Sequence, residues 1–178
     1  MDYHTITIER LQAIAAGGDA EGQFALGVRY AHGEGVQQDY ATAVLWLRQA
    51  AEQDHAGAQD SLGVRYATGQ GVPQSDAEAV RWFRRAAQRG HAVAQFNLGL
   101  AFVHGQGVPQ DAQQAYVWFA LSAEQGDVIS AESRDRVAET LDWEQLQQAK
   151  ISYHQKHRQI QRRNHDRRIH HAALAEHA

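Results

Sequence analysis

Histidine is the residue of this chain whose type and spacing come nearest to chemistry, because a neutral imidazole can act as an acid, a base or a metal ligand. Six of the eleven histidines lie near the C-terminus: His154, His157, His165, His170, His171 and His177. His154 and His157 are three residues apart and could share a divalent ion on a helix, but no carboxylate or thiolate completes a ligand set. We therefore expect no metal and no other cofactor.

Catalytic motifs are missing from the sequence. G-x-S-x-G, H-E-x-x-H and the phosphate-binding P-loop do not occur, and Gly33-x-Gly35 follows a predicted helix, whereas a dinucleotide-binding fingerprint follows a strand. The chain has no cysteine, which excludes thiolate nucleophiles, thiolate metal sites and disulfides. These observations predict a protein that is not an enzyme and has no catalytic residue.

The elements that must position any site come from an internal repeat of 36 residues. Shifting the chain by that length superimposes Gly27, Gly63 and Gly99, and likewise Trp46, Trp82 and Trp118. Each unit reads as a helix A, a loop with two glycines and a helix B. We expect the first glycine column to mark close helix crossings, and Trp82, which has a complete unit on either side, to be the most buried tryptophan.

Cap residues define where the second helix of each unit begins. Asp39, Ser75 and Asp111 occupy one column, and Glu78 and Gln114 follow the latter two by three residues, as in a capping box. His32 and His104 share another column but are two units apart, so they cannot bind the same ion. His55 and His91 fall at unit boundaries and are expected to be solvated turn residues.

The segments that flank the repeats differ from them in composition. Residues 1–19 are predicted to form an N-terminal capping helix, residues 20–127 the three repeats, and residues 128–153 a degenerate capping repeat. The predicted packing stripe of that cap consists of Trp143, Leu146, Ala149 and Tyr153. Residues 154–178 are read as a basic, histidine-rich helical extension or a disordered tail.

Charge separates the body from the tail. Residues 1–149 carry 10 basic and 19 acidic residues, a net charge of −9, while residues 150–178 carry 7 basic and 2 acidic residues, a net charge of +5. On a helix, five tail arginines are expected to form one broad stripe that could bind an anion: Arg158, Arg162, Arg163, Arg167 and Arg168. The alternative is that these charges are simply solvated or fold back on the acidic body.

The pattern A-x-x-x-L-G-x-x-Y-x-x-G-x-G-V-x-x-D-x-x-x-A-x-x-W-x-x-x-A-A resembles the Sel-one-like repeats (SLR), which are relatives of tetratricopeptide repeats. The resemblance covers Ala20 to Asp127 as three units, and residues 130–149 are similar to the degenerate cap that often ends such arrays. It implies an all-α, right-handed α-solenoid of stacked antiparallel helix pairs. Members of this family usually act as adaptors in bacterial protein complexes.

A register like that of tetratricopeptide repeats places a partner-binding surface on the exposed side of the A helices, along a concave face. Its expected residues are Glu21, Phe24, Val28, His32, Asp60, Val64, Thr68, Phe96, Leu100, Val103 and His104. The alternative is that the apolar members of this set only pack neighbouring helices together.

The expected function is therefore that of a non-enzymatic adaptor or scaffold that binds a partner protein or peptide on the concave face. The alternative is an anion-binding protein that uses its basic tail on nucleic acid or on an acidic protein, with nucleic acid the less favoured partner. No apolar run is long enough for a signal peptide or a membrane span, so a cytoplasmic location without a membrane partner is expected. Neither the partner's identity nor the oligomeric state follows from the sequence.

Overall fold

The computed structural model describes residues 3 and 6–175, and the side chains in that part except those of 168 and 170–175. Within this part of the chain there are nine α-helices and no strand, so the expected all-α class is confirmed. The helices are α1 (Ile8–Ala16), α2 (Ala20–His32), α3 (Tyr40–Glu52), α4 (Ala56–Thr68), α5 (Asp76–Ala87), α6 (Ala92–His104), α7 (Ala112–Ala123), α8 (Val128–Ala138) and α9 (Trp143–Ala175). Helices α2, α4 and α6 are the A helices of the repeats, and α3, α5 and α7 are the B helices.

Each A helix ends in the same way. Gly33, Gly69 and Gly105 follow the last residue with φ angles of 75°, 70° and 67°, a left-handed conformation that glycine adopts without a steric penalty. The glutamine five residues later then donates its side-chain amide to a carbonyl near the end of the helix, as Gln38 does to the oxygen of Ala31 at 2.7 Å. Gln74 and Gln110 repeat this bond in the next two units, so the loop is closed by local interactions.

The predicted N-caps of the B helices are confirmed, but only half of the capping box forms there. The side chains of Asp39, Ser75 and Asp111 accept backbone N–H groups of the first helical turn. Their own N–H groups donate to carbonyls of the preceding A helix, at 2.9, 2.9 and 3.0 Å, and are therefore not available to the Glu78 or Gln114 side chain. The cap residue thereby ties the B helix to its A helix.

The unit boundaries correct the expectation for two histidines. His55 and His91 are not free turn residues: each Nδ1 accepts a hydrogen bond from the backbone N–H three residues on, at 3.0 and 3.3 Å. They cap α4 and α6 as Asp19 caps α2. A neutral imidazole can replace a carboxylate in this position because its unprotonated nitrogen is also a hydrogen-bond acceptor.

The glycine column marks close helix crossings, as expected. A Cβ atom on Gly63 would lie 2.6 Å from the Phe83 ring and 3.2 Å from the carbonyl oxygen of Ala79. A Cβ atom on Gly27 would lie 2.8 Å from the Leu47 side chain, and one on Gly99 would lie 2.6 Å from the Phe119 ring. Any larger residue at these positions would have to displace a buried side chain of the B helix.

The chain divides into two compact units, residues 1–86 and 87–178, and each has a core of its own. In the first unit, Leu11 and Ala15 of α1 pack on Leu26 of α2, and a second cluster joins Leu47 and Leu62. In the second unit α7 is the central helix, and residues 115–122 are all buried. The carboxamide of Gln95, a side chain that is 1% exposed, there donates to the carbonyl of Ala87 and accepts from Gln125.

The prediction that Trp82 is the most buried tryptophan is wrong. Trp118 is 2% exposed and Trp82 is 8% exposed. The reason lies in α9, whose Lys156 ammonium sits 4.7 Å from the centre of the Trp118 ring and covers it. Sequence comparison between the units could not show this contact, because α9 is outside the repeat.

Helix α9 is one continuous helix of 33 residues. Leu146, Ala149 and Tyr153 pack against α7 and α8 as predicted, but Trp143 is 77% exposed and does not belong to the packing stripe. At 100° per residue, Trp143 lies about 120° around the helix from Ala149, so the two face different directions. Farther along, Ile160 is buried beside Gly90, and the Asn164 amide donates to the carbonyl of Arg89 at 3.1 Å.

Candidate functional site

The second unit contains an apolar pocket of about 520 Å³ between α6, α7 and α8. Leu100, Val103 and His104 of α6, three of the residues predicted for partner binding, line one side of it. The buried ring of Phe119 lies at its base. The other side is formed by Ser133, Arg136, Val137 and Thr140, a stripe at helical spacing that begins on α8 and ends just past it.

The two stripes continue beyond the pocket towards the N-terminal ends of α6 and α8. Val93 is seven residues before Leu100, and Ile129 is four residues before Ser133, so each lies on the pocket side of its helix. Their side chains are 55% and 61% exposed. We call the surface formed by 93–104 and 129–140 the α6–α8 groove.

The polar groups of the pocket are mostly engaged within the protein. Gln110 donates its amide to the carbonyl of Val103, and the Thr140 hydroxyl donates to the carbonyl of Val137. Arg136 differs from them. Within the described residues its one hydrogen bond is a long contact of 3.4 Å with Ser133, and the exposed guanidinium forms no salt bridge there. The pocket therefore combines apolar walls with one permanent positive charge that no carboxylate of the described residues pairs at salt-bridge distance.

Phe96, the fourth predicted residue on α6, is half-buried and packs against the core. Its ring packs on Phe119 with the ring centres 5.5 Å apart, and it does not line the pocket. This ring contact is of the packing kind that was the alternative for the apolar members of the set, and a role of Phe96 in partner binding stays a prediction.

In the first compact unit, two predicted residues near the start of α2 contact the next repeat. Glu21 and Phe24 both contact His55: a carboxylate oxygen of Glu21 lies 2.9 Å from its Nε2, and the Phe24 ring stacks on the imidazole at 4.5 Å. Asp60 is 8% exposed and has partners inside the fold. The contacts of Glu21 and Phe24 with His55 join the first repeat to the second.

The remaining predicted residues of the first unit are more open. Val28 and Val64 are half-buried, Thr68 turns its hydroxyl back to the carbonyl of Val64, and His32 lies 3.6 Å from the exposed Glu34.

The tail segment that carries the predicted arginine stripe is helical, and the stripe itself stays a prediction. Arg158 and Arg162 lie about 160° around the helix from the buried Ile160, whereas Arg163 and Arg167 lie within about 60° of it. All four side chains are exposed. Arg168 belongs to the predicted set, but its side chain lies outside the described residues, as do His170, His171 and His177.

Two observations bear on metal binding. His157 is held by Glu124, whose carboxylate lies 3.0 Å from Nδ1, and this contact turns the ring towards α7. Over the described residues, no group of three or more His, Asp or Glu side chains could hold a metal ion. In the same part of the chain, no helix is long and apolar enough to cross a membrane.

The α8 side of the groove was not predicted from the sequence. Residues 128–140 have lost the glycine pair and the other repeated columns, so nothing marked Arg136 and Val137 as the counterparts of a binding surface. A usable signal was present: Ile129 stands 36 residues after Val93, which places both in the same repeat column.

Comparison with known proteins identifies the repeat. A family profile described as Sel1 repeat matches residues 20–55, 56–91 and 92–127. A search of curated proteins found no match. Sel1 repeats are typically non-enzymatic helical scaffolds for protein–protein interaction.

Solved structures show the same fold. A protective antigen of uropathogenic Escherichia coli strains that displays an SLR fold is 35% identical over 78% of this chain, with a TM-score of 0.68. This chain spans only 34% of that protein's length. A Sel1 repeat protein from Oxalobacter formigenes is 36% identical, with a TM-score of 0.66, over 72% of this chain and 97% of its own.

Cysteine-rich protein B of Helicobacter pylori shares the fold at 18% identity, with a TM-score of 0.57 over 70% of this chain and 90% of its own. The predicted resemblance to Sel-one-like repeats is thus confirmed. With three consecutive units matched over more than half of its length, the chain belongs to the Sel1 repeat family.

Proposed function

We propose that this chain is a non-enzymatic scaffold that binds a partner peptide in the α6–α8 groove. The observation that carries the proposal is the apolar pocket of about 520 Å³, which the protein's own side chains leave open. Its size is within the range of about 300–1,000 Å³ that is typical of ligand pockets in proteins. An apolar side chain of a bound peptide would fill it and leave water, which favours binding.

The charge of the pocket indicates the chemistry of the partner. Arg136 is the one lining residue with a permanent charge, and no acidic residue lines the pocket. A guanidinium is best matched by a carboxylate, which it can bind with two parallel hydrogen bonds. We therefore propose a partner segment in which an acidic side chain stands next to a large apolar one.

A selection from a random peptide library, with the immobilised full chain as bait, tests this function. We expect enriched peptides to pair an aromatic or aliphatic residue with an acidic one. The double variant Leu100→Glu, Arg136→Glu should bind such a peptide at least about tenfold more weakly, a loss of about 1.4 kcal/mol. Fluorescence anisotropy with the labelled peptide measures the change.

A matched control variant is available on the first unit. Leu45, 62% exposed on α3, and the exposed Arg81 of α5 can receive the same two substitutions, Leu45→Glu and Arg81→Glu, far along the sequence from the groove. This variant should bind the peptide as the wild type does. If the groove variant bound the peptide as well as this control variant does, and both retained helical circular dichroism, the groove would not be the binding site.

We propose anion binding by the basic tail as a second candidate function. Four exposed arginines between Arg158 and Arg167 support it, since none of them forms a salt bridge within the described part of the chain. Replacing all five tail arginines by glutamine should weaken binding to a DNA duplex and flatten its dependence on salt, by about one unit of logarithmic slope for each lost phosphate contact. If the variant bound DNA as the wild type does, with the same dependence on salt, the tail would be a solvated helix that does not bind anions.

A further inference from the structure

Trp143 is the large apolar side chain with the greatest exposure among the described residues, at 77%. It is the first residue of α9, and Glu144 follows it with an exposed carboxylate that has no salt bridge in the described part of the chain. A tryptophan left in water is costly, because its ring can bury about 150–250 Å² when it finds a partner. Trp143 and Glu144 together match the proposed partner of the pocket, because a large apolar ring stands next to an acidic side chain.

The pocket and Trp143 lie close together in sequence and in the same unit. Arg136 and Thr140 line the pocket, and Trp143 follows Thr140 by three residues but is not among the lining residues. An exposed tryptophan and an open pocket in the same unit allow two copies to exchange equivalent contacts about a two-fold axis.

We propose that the pocket receives Trp143 from a second copy of this chain, with Glu144 of that copy paired to Arg136. The contact is reciprocal, so each copy donates one tryptophan and accepts one. This inference rests on the pocket of the proposed function but adds an occupant that the sequence itself supplies.

The area that the two copies can bury is that of a weak association. The exposed parts of two tryptophan rings amount to about 400 Å², and the pocket walls that they cover add about as much again. Ile129, which is 61% exposed on the same side of α8, would extend the contact. The total approaches but does not exceed the roughly 1,000 Å² of the smallest specific interfaces, and area alone does not set affinity, so we expect a weak, transient dimer.

Dimerisation would regulate the groove. A chain whose pocket holds the tryptophan of another copy cannot bind a peptide in the same pocket, so peptide and second copy must compete. High protein concentration should therefore reduce peptide affinity, and a tight peptide should shift the protein towards the monomer.

Sedimentation equilibrium of the full chain between about 1 µM and 1 mM tests the proposal. The wild type should form dimers, and Trp143→Ala should raise the dissociation constant at least about 30-fold, as expected for a central aromatic anchor. The control Ile151→Ala removes another exposed apolar side chain of α9, 49% exposed, and should dimerise like the wild type. A wild type that stays monomeric throughout, or a Trp143→Ala variant that dimerises normally, would overturn the proposal.

Charge-reversal variants test whether Glu144 of one copy pairs with Arg136 of the other. Arg136→Glu alone and Glu144→Arg alone should each weaken the dimer, and the double variant should restore it because both salt bridges re-form with opposite polarity. Failure of the double variant to recover would exclude the Arg136 pairing.

A monomeric protein that still selects peptides would refute self-association alone, whereas a dimer that needs Trp143 but selects no peptide would refute the proposed partner binding alone.

Discussion

Gly63 lies at the close crossing of α4 and α5, where a side chain has no room. The Cβ of an alanine there would meet the Phe83 ring at 2.6 Å and the carbonyl oxygen of Ala79 at 3.2 Å. We expect Gly63→Ala to lower the free energy of unfolding by about 1–3 kcal/mol, as overpacked cores do. Urea denaturation followed by circular dichroism measures this loss.

A double-mutant cycle with Phe83 distinguishes crowding from a general loss of stability. In a Phe83→Leu background the ring is gone, so the added methyl of Gly63→Ala should cost less than it does in the wild type. If the cost of Gly63→Ala were the same in both backgrounds, the ring would not be what makes glycine necessary.

Trp118 should contribute more to stability than any other tryptophan. It is 2% exposed and is covered by Lys156, whereas Trp143 is 77% exposed. Trp118→Ala should therefore cost about 3–5 kcal/mol, and Trp143→Ala should leave the unfolding midpoint of the monomer nearly unchanged. Thermal unfolding at low protein concentration compares the two, and a larger loss at Trp143 would show that the exposed face of α9 has been misidentified.

At the scale of the element, the second half of α9 determines how much of the tail the fold needs. The packing residues of α9 run from Leu146 through Ala149 and Tyr153 to the buried Ile160. The last described anchor is the hydrogen bond from Asn164 to the carbonyl of Arg89. Residues 165–175 continue the helix beyond this anchor.

Two truncations test this assignment. A chain that ends at residue 165 keeps every one of these contacts and should melt like the full chain. A chain that ends at residue 145 loses them all, exposes Trp118 and Tyr116, and should unfold at a clearly lower temperature. Equal melting temperatures for the two would mean that α9 does not complete the core of the second unit.

The helix ends and crossings could be predicted from the sequence because they depend on local or repeated signals. Asp39 and Asp111 are cap residues by type, and Gly63 stands in a column that the repeat preserves. His55 was misjudged because histidine is rare as a cap, although Asp19 occupies the same column and is a usual cap residue. The position in the repeat was more informative than the residue type.

The groove was predicted only on the side that belongs to the repeat. Leu100 and Val103 follow from the register of α6, but Arg136 and Val137 lie on a helix that has lost the repeated columns. Their approach to α6 depends on how α8 packs on α7, a tertiary contact without a local sequence signal. The exposure of Trp143 was unpredictable for a related reason, since a helix of mixed composition shows several faces that could be buried.

At the scale of the whole molecule, the chain has two units with separate cores, and the open apolar surface with an unpaired charge has been located in the second. In the first unit, Glu21, Phe24 and Asp60 are engaged within the fold. Partner binding is therefore expected to involve one part of the chain rather than all the A helices equally.

Hydrogen–deuterium exchange of the full chain, with and without a selected peptide, tests this claim most directly. Amide exchange should slow in residues 93–104 and 129–140 when the peptide binds, because filling the groove stabilises both of its helices. Exchange in residues 21–32, 57–68 and 158–167 should stay the same. Slower exchange in those three segments, with α6 and α8 unchanged, would contradict the account and place the partner elsewhere.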